Sequence, residues 1–313
     1  MKIVIPGGSG RIGSLLTREL GKLGHEVVIL SRNPLDFGTR SVIWDGKNPG
    51  HWEDEIDGAF AVINLAGKDV NCRYNDKNRR EMMSSRVDST KSVGIAIQKA
   101  ANPPTLWLQM STATIYSHRF DAPNDEFTGH IKTLESDSPL GWDYSIAIAR
   151  AWEKMVDVVD TPYTRKVKMR SAMVMSPDKD GIFDTLLGLT RRFLGGSAGS
   201  GRQFVSWVHE KDFVNAILFL IEHEELDDVV NIASPNPLPN SEFMRTIREA
   251  AGIPFGLPAT ELMLEIGAYL MGTETELILK SRRVVPTKLQ NAGFKFEFPE
   301  WKDACRNLLE EKH

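Results

Sequence analysis

The sequence predicts an α/β protein: a doubly wound parallel sheet of the Rossmann type that carries a smaller, mainly helical C-terminal lobe. Three observations predict it. A short apolar run (Ile3, Val4, Ile5) leads straight into Gly7-x-x-Gly10-x-x-Gly13 and then an amphipathic stretch bearing Leu15, Leu16, Leu20 and Leu23. Apolar runs alternate with amphipathic segments as far as Ala233, the pattern of parallel strands joined by crossover helices. Beyond Ser234 to Pro239, a hinge holding three prolines, the chain becomes mainly helical.

The glycine turn has a specific physical use. Gly7 can take a positive φ, Gly10 lets the main chain approach a pyrophosphate, and Gly13 lets the helix pack tightly on the strand. Arg11 and Ile12 sit in the same turn, where the helix N-terminus offers free N–H groups to negative charge. The motif lies directly between an apolar strand and an amphipathic helix, the context it requires. The second strand, Val27 to Leu30, ends in Ser31 and Arg32. An NAD-preferring unit carries Asp or Glu there for the ribose hydroxyls. A hydroxyl and a guanidinium suit a 2′-phosphate instead, so the expected cofactor is NADP(H); the plain alternative is a solvated loop arginine.

After Asn33-Pro34, Ser41 to Trp44 reads as a third strand closed by Asp45-Gly46. Asp45 either accepts from the adenine amino group or only shapes the turn. Ala59 to Leu65 is a fourth strand whose end, Asn64-Leu65-Ala66-Gly67, is small enough for a backbone to pass close to a cofactor. A basic stretch (Lys68, Arg73, Lys77, Arg79, Arg80) precedes a helix from about Asn78 to Ala100, with Met82, Met83, Val87, Val93 and Ile97 as its buried stripe. Leu106 to Met110 is the central fifth strand, ending at Ser111 and Thr112. A polar loop from Ser117 to Gly141 leads to a helix opened by Trp142-Asp143-Tyr144 and carrying Ile148, Trp152, Met155 and Val156. A sixth strand spans Val167 to Met175. Then come a helix (Ile182 to Phe193), a flexible loop (Gly195 to Gly201), a strand (Phe204 to Val208), a helix (Lys211 to Ile221) and the last core strand (Val229 to Ala233). Helices follow over Ser241 to Ala251, Thr260 to Met271 and Trp301 to Glu310. The nucleotide-binding domain is therefore 1–175 plus 207–233, and the substrate lobe 176–206 plus 234–313. A small-molecule substrate is expected in the cleft between them.

With 313 residues, 41% of them hydrophobic, the chain can bury a large core. A net charge of −4 argues against a general binder of nucleic acid or acidic membranes. Cys72 and Cys305, the only cysteines, form neither a disulfide framework nor a metal spacing. No apolar run approaches membrane-spanning length and Met1 leads directly into a strand, so the expected location is cytoplasmic.

Together these residues resemble the short-chain dehydrogenase/reductase superfamily in its extended, epimerase/dehydratase-like form. The carriers are the glycine turn, Asn64 to Gly67, and Ser111-Thr112-Ala113-Thr114-Ile115-Tyr116. More narrowly the chain is similar to the "epimerase family protein" group, an atypical branch with its own C-terminal domain. Its marks are Ser31-Arg32, Ser85-Arg86-Val87, Arg150-Ala151-Trp152-Glu153, Gly199-Ser200-Gly201-Arg202-Gln203 and Trp207-Val208-His209. The resemblance implies cofactor contacts at the glycine turn, Ser31, Arg32, Leu65, Ala66, Glu81, Arg86 and near Val174, with Gly67 beside them. It also implies that 234–313 is the group's own domain, and, from some relatives, a homodimer paired along the helices from Asn78 and Trp142.

One departure stands out. The superfamily uses a tyrosine and a lysine four residues later, the lysine lowering the tyrosine pKa for proton transfer. Here Tyr144 is followed by Ile148 at the lysine place. Tyr144 is thus either a proton donor helped by Arg86 or another cation, or a packing residue at a helix start. Thr112 either orients a substrate carbonyl or caps the turn after its strand. Arg202 suits an anionic substrate and Trp207 a cleft wall. His209 is either an acid/base or a structural cap, and Arg73 either a substrate contact or part of a solvated basic face. Two functions stand on this reading. The first is an NADP(H)-dependent oxidoreductase or epimerase on a small polar, sugar-like or acidic substrate; the second is a non-catalytic NADP(H)-binding regulator.

Overall fold

The computed structural model describes residues 1–33, 38–131 and 142–312. Pro34 and the last ten residues of the polar loop, 132–141, lie outside them. In chain order the elements are β1 (Lys2–Pro6), α1 (Arg11–Lys22), β2 (Glu26–Ser31), β3 (Arg40–Ile43), β4 (Ala61–Asn64), α2 (Asp76–Lys99), β5 (Leu106–Thr112) and α3 (Asp143–Val158). They continue as β6 (Arg165–Ser171), β7 (Met173–Met175), α4 (Ile182–Arg191), β8 (Phe204–Val205), β9 (Trp207–His209), α5 (Glu210–Glu222), β10 (Asp228–Ile232) and β11 (Leu238–Pro239). The C-terminal helices are α6 (Asn240–Ala250), α7 (Glu261–Met271), α8 (Glu276–Leu279), α9 (Thr287–Asn291) and α10 (Trp301–Glu310).

Among the described residues one sheet runs β10-β6-β5-β4-β1-β2-β3. Every pairing in it is parallel. Strand alternation gives it two buried faces. Ile3, Ile5, Val27, Ile29, Ile63 and Leu108 face α1 and α5, where Leu16, Leu20, Phe213 and Ile217 cover them. Val4, Val28, Leu30, Val62 and Trp107 face the other way, against Val93 and Ile97 of α2 and Val156 of α3. Burial on both faces is why the strands read as unbroken apolar runs. The chain winds outward through β1, β2 and β3, then returns to place β4 on the other side of β1. That reversal opens a crevice at the C-terminal ends of β1 and β4.

Three expectations change. The sixth strand stops at Ser171: Ala172 N–H still bonds Ile232 O at 2.9 Å, but Met173 then leaves the main sheet so that β7 pairs with β9. The apolar run from Phe204 likewise serves two partners, β8 pairing antiparallel with β11 and β9 parallel with β7. The Gly195 to Gly201 segment is tied down. Ala198 N–H donates to Asn240 Oδ1 at 2.8 Å, Gly199 N–H to Ala259 O at 2.8 Å, and a side chain at Gly196 would strike Leu257 O at 2.3 Å. Gly196 serves close backbone approach, while Gly199 and Gly201 take positive φ of 54° and 68°.

A second apolar core joins Met175, Phe183, Leu187 and Trp207 to Phe243, Ile247, Trp301 and Leu308. Trp301 stacks on Phe243 at 4.2 Å and lies 4.9 Å from Trp207. A buried polar network pins the turn after β5. Glu153 of α3 accepts from Ser111 Oγ at 2.6 Å and from the Arg170 guanidinium at 2.7 and 2.8 Å. Arg170 also donates to the Tyr116 hydroxyl, which donates to Asn231 Oδ1, each at 3.0 Å. The carboxylate holds the Arg170 pKa well above its ordinary value despite burial. No helix among the described residues is long and apolar enough to cross a membrane.

Candidate functional site

The crevice is built from β1 and β4. Gly7 has φ 79°, and a Cβ there would lie 2.7 Å from Ala66 N. The two strand exits therefore touch, and only a missing side chain allows it. A Cβ at Gly13 would lie 2.4 Å from Gly8 Cα, so α1 packs directly on the turn. Gly10 is the N-cap of α1 and supplies no side-chain hydrogen bond, which leaves the helix start to an external anion. Ile12 packs into the core behind it. Asn64, fully buried, fixes the opposite wall: its Oδ1 accepts from Ala66 N–H at 3.1 Å while its Nδ2 donates to Gln109 at 2.9 Å. Leu65 N–H bonds Pro6 O at 2.8 Å. This cradle fits a dinucleotide pyrophosphate.

At the end of β2, Ser31 Oγ donates to Ser9 Oγ at 3.0 Å, joining the strand end to the glycine turn. Arg32 beside it is exposed. Asp45 is spent on its own turn, accepting from Lys47 N–H, Asn48 N–H and the Asn48 amide, which holds its pKa below the usual carboxylate range. Arg11 reaches across the crevice mouth, donating to Asp180 O of the second lobe and lying 3.5 Å from Asp69. Glu81 pairs with Lys68 at the surface. Arg86 is buried beneath the loop after β4, donating to Lys68 O at 2.9 Å and Met82 O at 3.1 Å. Its guanidinium lies 5.0 Å from the Trp152 ring, and a Cβ on Gly67 would touch its side chain at 3.3 Å. It thus sets the loop that carries Gly67. Val174, in β7, is a partly buried side chain packed against the main apolar core.

The predicted chemical residues fare differently. Thr112 Oγ1 accepts from Thr114 N–H at 3.2 Å, so its own proton is left to donate. Tyr144 spends its hydroxyl on Arg79 O at 2.6 Å, and burial raises its pKa, which the Arg79 guanidinium 5.2 Å from the ring offsets only in part. Ile148 is buried in the α3 core face. Trp207 belongs to the apolar core of the second lobe, not to a cleft wall, because β9 turns it toward Trp301. His209 is also inside, its Nδ1 accepting from Lys211 N–H at 3.2 Å as the N-cap of α5 and its ring stacked 4.1 Å from Phe298. Burial lowers its pKa to about 4, so it is a neutral cap at physiological pH rather than an acid/base. Arg73 is engaged with the C-terminal segment, donating to Thr273 O at 2.9 Å and lying 3.4 Å from Glu274. Arg202 lies 6.0 Å from the Phe120 ring.

Sequence reading missed a second polar centre at the end of β5. Lys280 Nζ donates to Thr114 O at 2.8 Å, and Arg282 Nε to Thr114 Oγ1 at 3.2 Å. Glu276 lies 3.6 Å from Lys280 and accepts from Ser145 Oγ at 2.6 Å. The Tyr74 backbone N–H donates to Glu274 Oε1 at 2.7 Å, and burial pushes the Tyr74 hydroxyl pKa up to about 12. Glu276, Lys280 and Arg282 are all buried. Glu276 and Lys280 form an i,i+4 pair, the one sequence signal of this centre, yet exposed helical pairs carry the same spacing.

Comparisons with known proteins agree with this geometry. The family model described as NAD dependent epimerase/dehydratase family matches residues 3–233, and a domain of unknown function, DUF1731, matches residues 259–308. Epimerase family protein YfhF of Bacillus subtilis (strain 168) is 30% identical over 319 residues, covering 100% of this chain and 99% of its own. Epimerase family protein SDR39U1 of Bos taurus is 30% identical over 314 residues, covering 99% of this chain and 100% of its own. The crystal structure of human epimerase family protein SDR39U1 (isoform 2) with NADPH aligns at TM-score 0.82 and 28% identity, covering 99% of each chain.

Proposed function

Because this chain belongs to the NAD dependent epimerase/dehydratase family, we propose that it is an NADP(H)-dependent oxidoreductase or epimerase-like enzyme acting on a small polar substrate. The observation that carries the cofactor choice is the end of β2, where Ser31 and an exposed Arg32 replace the acidic residue that favours NAD. The NADPH bound to the human relative supports it.

Bound at the crevice, the dinucleotide would supply hydride chemistry at its nicotinamide. The chain's own residues do the rest. The glycine turn and the start of α1 hold the pyrophosphate. Ser31 and Arg32 hold the 2′-phosphate through charge-assisted hydrogen bonds. Asn64 and Arg86 keep Leu65, Ala66 and Gly67 in place along the other wall. Thr112 retains a proton to donate to a substrate oxygen, because Thr114 N–H already occupies one of its lone pairs.

A second reading is favoured by one observation. Tyr144 is committed to a backbone carbonyl and has Ile148 at the lysine position, so the usual proton-transfer pair is absent. A regulator that binds NADP(H) without turnover needs no such pair. NADPH oxidation across a panel of carbonyl compounds tests the two, with Ile148→Lys as the comparison. The enzyme reading expects turnover in the wild type for at least one compound. Tight NADPH binding with no turnover in either form overturns it in favour of the regulator.

A further inference from the structure

One helix of the C-terminal domain breaks the rule its neighbours obey. α1, α6 and α10 each bury an apolar stripe and leave their polar residues to solvent. α7 is apolar nearly all round, with Glu261 and Glu265 as its only charged residues. A helix of that composition is normally buried. Here only Ala268 is buried and Leu264 and Gly267 are half-buried, while Leu262, Met263, Ile266, Tyr269 and Leu270 stand between 55% and 78% exposed. At about 100° per residue, those five fall in one sector of roughly 120°. The helix is closed at both ends. Thr260 Oγ1 accepts from Met263 N–H at 3.3 Å, and Gly272 ends it with φ 68°. The apolar face therefore belongs to a formed helix.

Area and charge together select what covers it. At roughly 100 Å² for each exposed side chain of this size, the stripe offers about 500 Å², near the upper end of what a monomer leaves open. Phe255 and Leu257, both more than half exposed, lie in the segment that runs into α7. With them, two copies would bury about 1,400 Å², within the range of a stable dimer. Glu261, Glu265 and Tyr269 form one i, i+4 row along an edge of the stripe. The Arg73 guanidinium lies 5.7 Å from the Tyr269 ring at the C-terminal end of that row, its side chain 43% exposed. The edge is thus acidic at one end and basic at the other. An anionic lipid surface calls for Lys or Arg along the helix, and α7 has neither. A second copy turned antiparallel fits. A two-fold axis at right angles to α7 keeps the charged edge on its own side and reverses its direction, so the acidic end of one copy meets the basic end of the other. The helix dipoles then oppose as well. Parallel pairing would set Glu261 against Glu261.

We propose that α7 is the centre of a homodimer interface in which two copies of this chain pair antiparallel about a two-fold axis near Ile266, with Glu261 of each copy reaching Arg73 of the other. Ile266 then packs on its own counterpart, and Leu262 meets Tyr269 and Leu270, an isologous contact. This face is not that of the helices from Asn78 and Trp142. It lies on the C-terminal domain where that domain meets the loop after β4, since Arg73 also donates to Thr273 O at 2.9 Å. Pairing would therefore brace the contact between the two parts of each chain.

Sedimentation equilibrium of the intact protein at micromolar concentrations tests the pairing. The wild type should sediment at twice the chain mass. Ile266→Glu and Leu270→Glu each bury a carboxylate without a counter-charge, twice per dimer, and should weaken association by at least roughly 100-fold. Both positions are exposed in the single chain, so circular dichroism should be unchanged, and Leu270→Glu decides the matter if Ile266→Glu does not fold. Glu261→Lys turns two attractions into repulsions and should weaken association by about 10-fold at low salt, with the loss shrinking as salt is added. A wild type that stays monomeric overturns the proposal, as does a dimer that both glutamate variants leave intact, which would pair through another face. A dimer as tight in Glu261→Lys as in wild type overturns the antiparallel arrangement. Flotation with phosphatidylcholine and phosphatidylglycerol vesicles covers the remaining occupant: a monomer that floats with them assigns the stripe to a lipid surface and overturns the pairing.

Discussion

The proposed cofactor choice rests on Arg32, whose guanidinium makes no hydrogen bond or ion pair with another of the described residues. The neighbouring arginines are occupied: Arg11 by Asp180 and Asp69, Arg86 by two backbone carbonyls. Arg32 stands exposed beside Ser31, which is fixed to the glycine turn through Ser9. Arg32→Ala should weaken NADPH by roughly 10- to 100-fold, the worth of one or two charge-assisted hydrogen bonds. NADH, which lacks the 2′-phosphate, should change little. Equal losses for both nucleotides in paired titrations would sink the assignment. His209 and Glu210 show how adjacent residues can oppose each other. Burial moves His209 from its ordinary 6.5 to about 4, and moves Glu210, which faces Asp178 and Glu311, from 4.5 to about 7. The unfolded chain binds more protons at His209 between pH 4 and 6.5, so that contribution to stability is complete above 6.5 and lost as pH falls. The folded chain binds more protons at Glu210 between 4.5 and 7, so that contribution is complete below 4.5 and lost as pH rises. Each shift corresponds to about 3 kcal/mol. Relative to wild type, His209→Asn should steepen the loss of stability with rising pH, and Glu210→Gln should steepen the gain. Urea midpoints from pH 4 to 7.5 measure both slopes, and parallel curves for all three proteins would contradict the assignment.

The strands and helices that build the crevice were readable because each satisfies a local rule. The first strand, glycine turn, helix and second strand follow one another without interruption, and the structure runs β1, α1 and β2 over nearly the same residues. The elements that were misread are those whose partners are remote in sequence. Val167 to Met175 is one apolar run, yet β6 belongs to the main sheet and β7 to a ribbon with β9. Nothing local marks Ala172 as the point of departure; Ile232 and Ser206 do, through hydrogen bonds across the fold. The cleft-wall role given to Trp207 and the acid/base alternative for His209 fail for the same reason, while the cap alternative for His209 holds. A tryptophan and a histidine near a cleft-forming strand read as site residues until the Trp301 and Phe298 rings that cover them are in place. Glu276 and Lys280 are the reverse case. They read as a short helical pair, and only the docking of α8 against Thr114 and Ser145 makes them a buried polar centre.

The whole molecule places a nucleotide cradle at the switch point of a parallel sheet and closes its far end with a C-terminal domain. That domain is held to the sheet by polar contacts as well as by apolar packing. Arg73, Tyr74, Ser145 and Thr114 of the nucleotide-binding part all meet residues between Thr273 and Arg282. The family's fold thus survives without its usual tyrosine–lysine pair, and two cations of the second domain, Lys280 and Arg282, reach Thr114 just beyond the end of β5. Everything inferred about chemistry depends on the cradle holding a phosphorylated dinucleotide. The most direct measurement is calorimetric titration of the intact protein with NADPH and NADH under identical conditions. NADPH should bind at least roughly tenfold more tightly, because only it offers a 2′-phosphate to Ser31 and Arg32. Equal affinities would remove the 2′-phosphate site, and failure of both nucleotides to bind would mean that the glycine turn only packs a helix on a strand.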